Sequence, residues 1–92
     1  MSKMQRAVKL INKVILLPGI PGGGPCMVEG VVIQYHRVGE HWSEKELQEY
    51  EAVAKKHGVK KDLCLRVRVL FTDKTFLHKV NSRVRYQEVQ GE

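Results

Sequence analysis

The chain has 92 residues, of which 42% are hydrophobic and 28% charged, and its formal net charge is +6. This length predicts a single domain, residues 1–92, with a modest core, and the composition excludes an intrinsically disordered chain. No apolar run approaches the roughly 20 residues of a membrane span, so no membrane partner is expected. The two cysteines, Cys26 and Cys64, lie in apolar runs, which favours buried thiols and an intracellular, cytoplasmic or nuclear protein.

The N-terminal segment is basic and precedes an ambiguous apolar run. Its cations come before any acidic residue, and they are Lys3, Arg6, Lys9 and Lys13. This pattern is typical of mitochondrial targeting peptides, but the segment holds only one serine, so mitochondrial targeting is disfavoured. Residues 8–17 fit both helical and strand spacing. The β-branched residues and the abrupt Pro18-Gly19 stop favour a strand, and whether residues 4–16 are helix or strand stays open.

Residues 18–25 form a Gly/Pro-rich loop, because three prolines and four glycines cannot continue a regular element. A phosphate-binding loop would need Gly-Lys-Ser or Gly-Lys-Thr before a helix, whereas here Gly24 is followed by Pro25 and Cys26. The loop is therefore interpreted as a hairpin connection. Residues 27–38 alternate as a strand, with Val31 and Ile33 on one face.

Residues 43–57 carry the clearest helix signals of the chain. Ser43 and Glu46 have the spacing of a capping box, and Trp42 with Leu47 that of a hydrophobic staple. Acidic residues occupy the first turns and lysines the last, and Gly58 supplies a left-handed stop. The sequence therefore predicts a helix here.

The last third predicts antiparallel strands. Residues 63–71 alternate apolar side chains with Arg66 and Arg68, which indicates a half-buried strand with a cationic outer face. Residues 72–75 predict a hairpin turn, and residues 76–80 and 83–89 continue as strand with a bend at 81–82. The predicted fold class is α+β: a small, strongly curved antiparallel sheet or open β-barrel of four to five strands, with the helix inserted between strands two and three.

Part of this pattern resembles a known family. Residues 67–75 read Val-Arg-Val-Leu-Phe-Thr-Asp-Lys-Thr, and Val80 and Val84-Arg85-Tyr86 follow. Residues 65–89 thereby resemble the closing strands of Tudor-like small β-barrels, and residues 14–32 are loosely similar to their first hairpin. The helix would then be an insertion. No aromatic cage is assigned, so the recognition of methylated ligands is not carried over.

Charge is segregated along the chain, and this points to function. Residues 1–13 contribute +4, residues 40–51 contribute −4, and residues 55–85 contribute +8. If the late strands are neighbours, their arginines share a face that suits phosphate oxygens. The candidate nucleic-acid contacts are Arg66, Arg68, Arg83, Arg85, Lys79, Lys9, Lys13, Lys55, Lys56, Lys60 and Lys61.

The hypothesis is a non-enzymatic RNA- or DNA-binding module, an accessory subunit of a larger complex. The alternative is a protein-interaction module that docks on an acidic partner or dimerises through an edge strand. No catalytic residue, metal site or cofactor is predicted. No Cys-x-x-Cys or His-x-x-x-His pair occurs, and Cys64, the one plausible nucleophile besides hydroxyls, has no identifiable histidine partner in the sequence. Trp42, Tyr35 and Tyr86 are candidates for base stacking, with Trp42 assigned first to the helix staple.

Overall fold

The computed structural model describes residues 2–20, 24–36, 41–80 and 86–89. Its elements in chain order are α1 (Lys3–Lys9), β1 (Val14–Leu16), β2 (Pro25–Tyr35), β3 (His41–Ser43), α2 (Glu44–Lys56), β4 (Lys61–Val69) and β5 (Thr75–Lys79). The five strands form one antiparallel sheet in the order β1-β2-β4-β5-β3. The α+β class is confirmed. The sheet is not closed, because β1 and β3 are its two outer strands, so a barrel is not confirmed.

The N-terminal segment divides between a helix and a strand. Ser2 begins α1 with a capping box, in which its Oγ accepts from the Gln5 amide and its own amide donates to the Gln5 side chain. A turn then follows, and Asn12 takes a left-handed φ of 70° before β1 begins at Val14. The strand favoured for residues 8–17 was therefore wrong for its first half, since a local cap and turn outweigh β-branched content.

The inner face of the sheet carries the main core. Its fully buried side chains are Ile15, Cys26, Val28, Leu65, Val67 and Val69. A bulge in β2 shifts the register between Val28 and Gly30, so that Val28 and Val31 both lie opposite inner-face residues of β4. Strict alternation in the sequence could not show this extra residue. The predicted sharing of one face by Val31 and Ile33 is confirmed by their partners Leu65 and Leu63.

The opposite face, here called the helix face, carries α2. Ser43 caps this helix through the predicted box with Glu46. Buried Leu47 packs with Cys64 and Leu77, and half-buried Val32 and Trp42 complete the cluster, which confirms the Trp42–Leu47 staple. The helix thus covers the part of the sheet that β3, β5 and the end of β2 provide.

Loops and the C-terminal segment cover the inner face. Ala7 of α1, Leu17 and Ile20 belong to the same core cluster as the strands, and Tyr86 packs against it. Residues 86–89 run beside β1, since Leu16 donates to the carbonyl of Gln87 and Val89 donates to that of Val14. The rest of the predicted strand 83–89 lies outside the described residues.

Both predicted hairpins are present. The first hairpin joins β1 to β2, and Leu17 donates to the carbonyl of Gly24 at 3.0 Å. Pro25, the last residue of the predicted loop, is already the first residue of β2. The β4–β5 turn closes with the Val69 amide donating to the carbonyl of Lys74 at 2.8 Å, and Asp73 there has a φ of 59°. Asp adopts the left-handed region more readily than most residues, so it replaces the usual glycine. No helix in the described ranges is long and apolar enough to cross a membrane.

A Schellman turn ends α2. The Gly58 amide donates to the carbonyl of Lys55, the Val59 amide donates to that of Ala54, and Gly58 has a φ of 66°. This 6→1 and 5→2 pair of bonds satisfies carbonyls that the helix end would otherwise leave open. The turn leads the chain directly into β4.

Gly58→Ala is expected to lower the free energy of unfolding by about 1–2 kcal/mol, because alanine is strained in the left-handed backbone conformation that this position requires. A Cβ at Gly58 meets no atom within 4 Å, so the loss reports backbone strain alone. Gly30→Ala is the matched control, since its Cβ also meets nothing within 4 Å and its φ is not left-handed. Urea unfolding of both variants checks this, and equal losses would contradict it.

Candidate nucleic-acid interface

The predicted arginine surface lies partly on the helix face. Arg66 and Arg68 both point away from the inner face, because their neighbours Leu65, Val67 and Val69 are buried there. Lys79 pairs with Cys64 in register and so shares the side of these two arginines. The predicted alternation along this strand is confirmed. Arg83 and Arg85 lie outside the described residues, so the convergence of the four arginines stays a prediction.

Carboxylates contact both Arg66 and Arg68. Arg66 Nε lies 2.7 Å from Glu44 Oε1, in the first turn of α2. Arg68 contacts Glu29 at 3.3 Å and Asp73 at 3.2 Å. The sequence did not show which face α2 covers. Because the helix packs on the face that carries the arginines, its acidic first turn lies beside Arg66.

Two of the predicted lysines are also paired. Lys13 Nζ lies 3.1 Å from Glu88, and Lys79 Nζ lies 3.8 Å from Asp62. Asp62 also accepts from His36 Nδ1 at 2.6 Å, which makes it the shared partner of Lys79 and His36. Lys9 is exposed on the last turn of α1.

The remaining four predicted lysines form what is here called the lysine cluster: Lys55, Lys56, Lys60 and Lys61. The first two lie in the last turn of α2, and the Schellman turn leads to the other two at the start of β4. All four are exposed. Within the described part of the chain, no carboxylate lies within ion-pair distance of any of them.

Aromatic and hydrogen-bonding groups adjoin the lysine cluster. Lys61 pairs with Tyr35 across β2 and β4, and its Nζ lies 5.2 Å from the centre of the Tyr35 ring. The His36 amide donates to the Lys60 carbonyl, and the Tyr50 hydroxyl donates to the carbonyl of His36 at 3.2 Å. These bonds attach the end of β2 to both the helix and the start of β4, so the lysines project from a fixed backbone.

The other two candidates for base stacking, Trp42 and Tyr86, pack against other side chains of the domain. Trp42 meets Tyr50 edge to face at a centroid distance of 5.4 Å and packs in the α2 cluster. Tyr86 packs against the inner core and meets the His78 ring edge to face at 5.6 Å. Of the three, Tyr35 alone lies beside the lysine cluster.

The histidines and cysteines do not gather into one site. Among the residues that the structure describes, no group of three or more His, Cys, Asp or Glu side chains is placed to hold a metal ion. Cys26 pairs with Val69 and Cys64 with Val32, so the two thiols lie toward opposite ends of the β2–β4 ladder, and no disulfide joins them. His41 and His78, by contrast, are cross-strand neighbours, a pairing that their spacing in the sequence did not suggest.

Comparisons of this chain with protein-family models, with curated proteins and with solved structures found no match.

The structure makes Cys26 a poor nucleophile. It is fully buried, and burial raises the pKa of its thiol, so the reactive thiolate is scarce at neutral pH. In a Cys64→Ser variant, alkylation of native protein by iodoacetamide is expected to run on the order of a hundredfold slower than in urea. Mass spectrometry of timed samples measures the ratio. Equal rates in native and unfolded protein would contradict the burial.

Proposed function

We propose that this domain is a non-enzymatic nucleic-acid-binding module that contacts the phosphate backbone through its lysine cluster. The observation that supports the proposal is the group of four exposed lysines at 55–61, with no carboxylate partner within the described ranges. Uncompensated lysines release counterions when they meet phosphates, which favours binding without sequence selectivity. RNA and DNA are both candidate ligands, and an intracellular accessory subunit remains the proposed setting.

The local charge balance favours anion binding at this end of the sheet. The carbonyl end of a helix carries about half a negative charge, which offsets part of the charge of Lys55 and Lys56. Lys60 and Lys61 lie beyond that end. For these two lysines the nearest acid along the chain is Asp62, which is engaged by His36 and Lys79. A net positive field therefore remains, and Tyr35 adds an aromatic surface for an unpaired base.

The paired arginines join the proposed interface in a secondary role. Arg66 and Arg68 are partly exposed and so are their carboxylate partners. Exposed ion pairs contribute only about 0–1 kcal/mol, so a phosphate can replace a carboxylate at small cost. We assign the same secondary role to Lys79, Lys9 and Lys13, and to Arg83 and Arg85 on sequence alone.

Two contacts bear on how strongly the sheet is curved. Contacts join elements that are far apart in strand order: the His78 ring meets Tyr86 beside β1, and a Cβ at Gly19 would lie 3.8 Å from the His41 ring. We propose a strongly curved sheet of the open-barrel kind, as the Tudor-like resemblance of residues 65–89 implies.

Changing the lysine cluster to glutamine is expected to weaken binding to a fluorescent 20-nucleotide single-stranded RNA or DNA. Each lost phosphate contact reduces the magnitude of the negative slope of log K against log salt concentration by about 0.7. The variant with all four lysines changed therefore loses about 2–3 from that magnitude. Fluorescence anisotropy over a salt series measures both the affinity and the slope.

The matched control changes Lys3, Lys45 and Lys74 to glutamine, all three exposed and outside the proposed interface. It is compared with a cluster variant that keeps Lys61, so that each variant loses three positive charges. Its affinity is expected to fall less than that of the cluster variant. Equal losses would contradict a localised interface and indicate attraction by net charge alone. A wild-type protein that binds neither nucleic acid at low salt would contradict the proposed function.

One observation favours a protein partner as the second candidate. Phe71, in the β4–β5 hairpin turn, is 78% exposed, and Leu70 beside it is also exposed. Exposed aromatic side chains of this kind are enriched at protein interfaces.

If this candidate is correct, a pull-down with the wild-type protein retains the same partner after nuclease treatment. The Phe71→Ser variant is expected to lose that partner. Val53→Ser, at an exposed apolar position on α2 with 54% exposure, is the control. Loss of every partner on nuclease treatment, with Phe71→Ser unchanged, would contradict the second candidate and favour the first.

A further inference from the structure

One side of β2 carries a row of backbone groups that no strand pairs. β4 pairs with β2 from Cys26 to Tyr35, whereas β1 pairs only with residues 25–27. The last backbone bonds on the β1 side join Val28 to Asn12 and Lys13. Residues 30–35 therefore form an open edge, here called the β2 edge, to which the described ranges bring no neighbouring strand on that side.

The register identifies which groups of the β2 edge point outward. The His36 amide donates to the carbonyl of Lys60, so every second residue of β2 before His36 directs its amide and carbonyl toward β4. The residues between them direct theirs to the open side, and these are Val31, Ile33 and Tyr35. Their amides and carbonyls form an evenly spaced outward row.

The β2 edge lacks the features that keep an exposed strand from pairing. Its sequence, Gly-Val-Val-Ile-Gln-Tyr, contains no charged residue and no proline, which protect unused edges in other sheets. The bulge of β2 lies before it, between Val28 and Gly30. Ile33, at the centre of the outward row, is 57% exposed. Unpaired amides beside an exposed β-branched side chain favour an added strand as the occupant.

The outward row is complementary to itself. In an antiparallel pair with a two-fold axis at Ile33, the amide and carbonyl of Ile33 bond to the same residue of the second copy. Val31 of each copy then bonds to Tyr35 of the other. Only this axis pairs all three outward residues with one another, so every outward amide and carbonyl of both copies finds a partner.

The side chains that meet in this register also match. Ile33 packs against Ile33 of the second copy, and Val31 packs against Tyr35. Pairs of β-branched residues, and of a β-branched with an aromatic residue, are favourable across strands. Because residues 30–35 carry no charge, no like charges oppose each other along the paired edges.

The two ends of the β2 edge differ in charge. Near its start, Arg68 is shared by Glu29 and Asp73, so one carboxylate is in excess there. At its other end, Tyr35 is the register partner of Lys61, a member of the lysine cluster. An antiparallel pair brings the first end of one copy toward the second end of the other. This charge distribution therefore favours a second copy in the antiparallel orientation.

We propose that two copies of this chain associate through their β2 edges, antiparallel and with the two-fold axis at Ile33, into one continuous sheet. The proposal goes beyond the nucleic-acid function, which needs only one copy. The paired segment is short, so the dissociation constant is expected in the micromolar range, as for other small interfaces.

Sedimentation equilibrium of nuclease-treated protein tests the proposal at concentrations up to about 1 mM. The wild-type protein is expected to approach twice the monomer mass. Ile33→Lys is expected to raise the dissociation constant about tenfold or more, because two lysines then face each other on the axis and the apolar pair is lost. The exposure of Ile33 lets the monomer accept the lysine.

Val53→Lys is the matched control, since it adds the same charge at an apolar position on α2 that is 54% exposed. It is expected to keep the wild-type dissociation constant. A wild-type protein that stays monomeric over the whole range, or an equal effect of the two variants, would overturn the proposal.

A second measurement locates the contact without a variant. Hydrogen exchange followed by NMR is expected to show the amides of Val31, Ile33 and Tyr35 gaining protection as the protein concentration rises. The amides of Val32 and Gln34 face β4 and are expected to be protected at every concentration. A dimer that forms without a change at the three outward amides would overturn the proposal, even if Ile33→Lys failed to fold.

Discussion

The pairing of β2 with β4 is the constraint on which the rest of the structure depends. These are the two longest strands, and their shared ladder supplies Cys26, Val28, Leu65, Val67 and Val69 to the inner core. Once this ladder forms, β1 and β5 add to its two sides. The helices then cover opposite faces, α1 over the inner face and α2 over the other. The inner face carries the main core, while α2 covers the helix face only in part and leaves Arg66 and Arg68 partly exposed.

Sequence patterns predicted the parts that local physics determines. The α2 cap, its Gly58 stop, the β4 alternation and both hairpins depend on residues close in the chain, and the structure contains all of them. The missed features depend on distant partners. β3 has only three residues and exists because β5 offers it hydrogen bonds, and the β2 bulge exists to match the register of β4. The His41–His78 pair follows from β3 and was missed with it.

The candidate interface also has features that could be predicted from the sequence and features that could not. Exposure of the cations could be predicted from alternation, but their partners could not, because Glu29 and Arg68 come together only across strands. The acidic first turn of α2 was visible in the sequence, and only the side on which it packs was not. The proposed interface therefore depends on the lysine cluster, whose members are neighbours in the chain and needed no tertiary prediction to be grouped.

The two margins of the sheet have a consequence for self-association. β3 exposes a margin of only three residues, and β1 is covered by residues 86–89. Among the described residues, however, β1 pairs only with residues 25–27, so the outer edge of β2 from Gly30 to Tyr35 has no partner strand. An open edge of that length, rather than β3 or β1, is where the sheet would accept an added strand from a second copy.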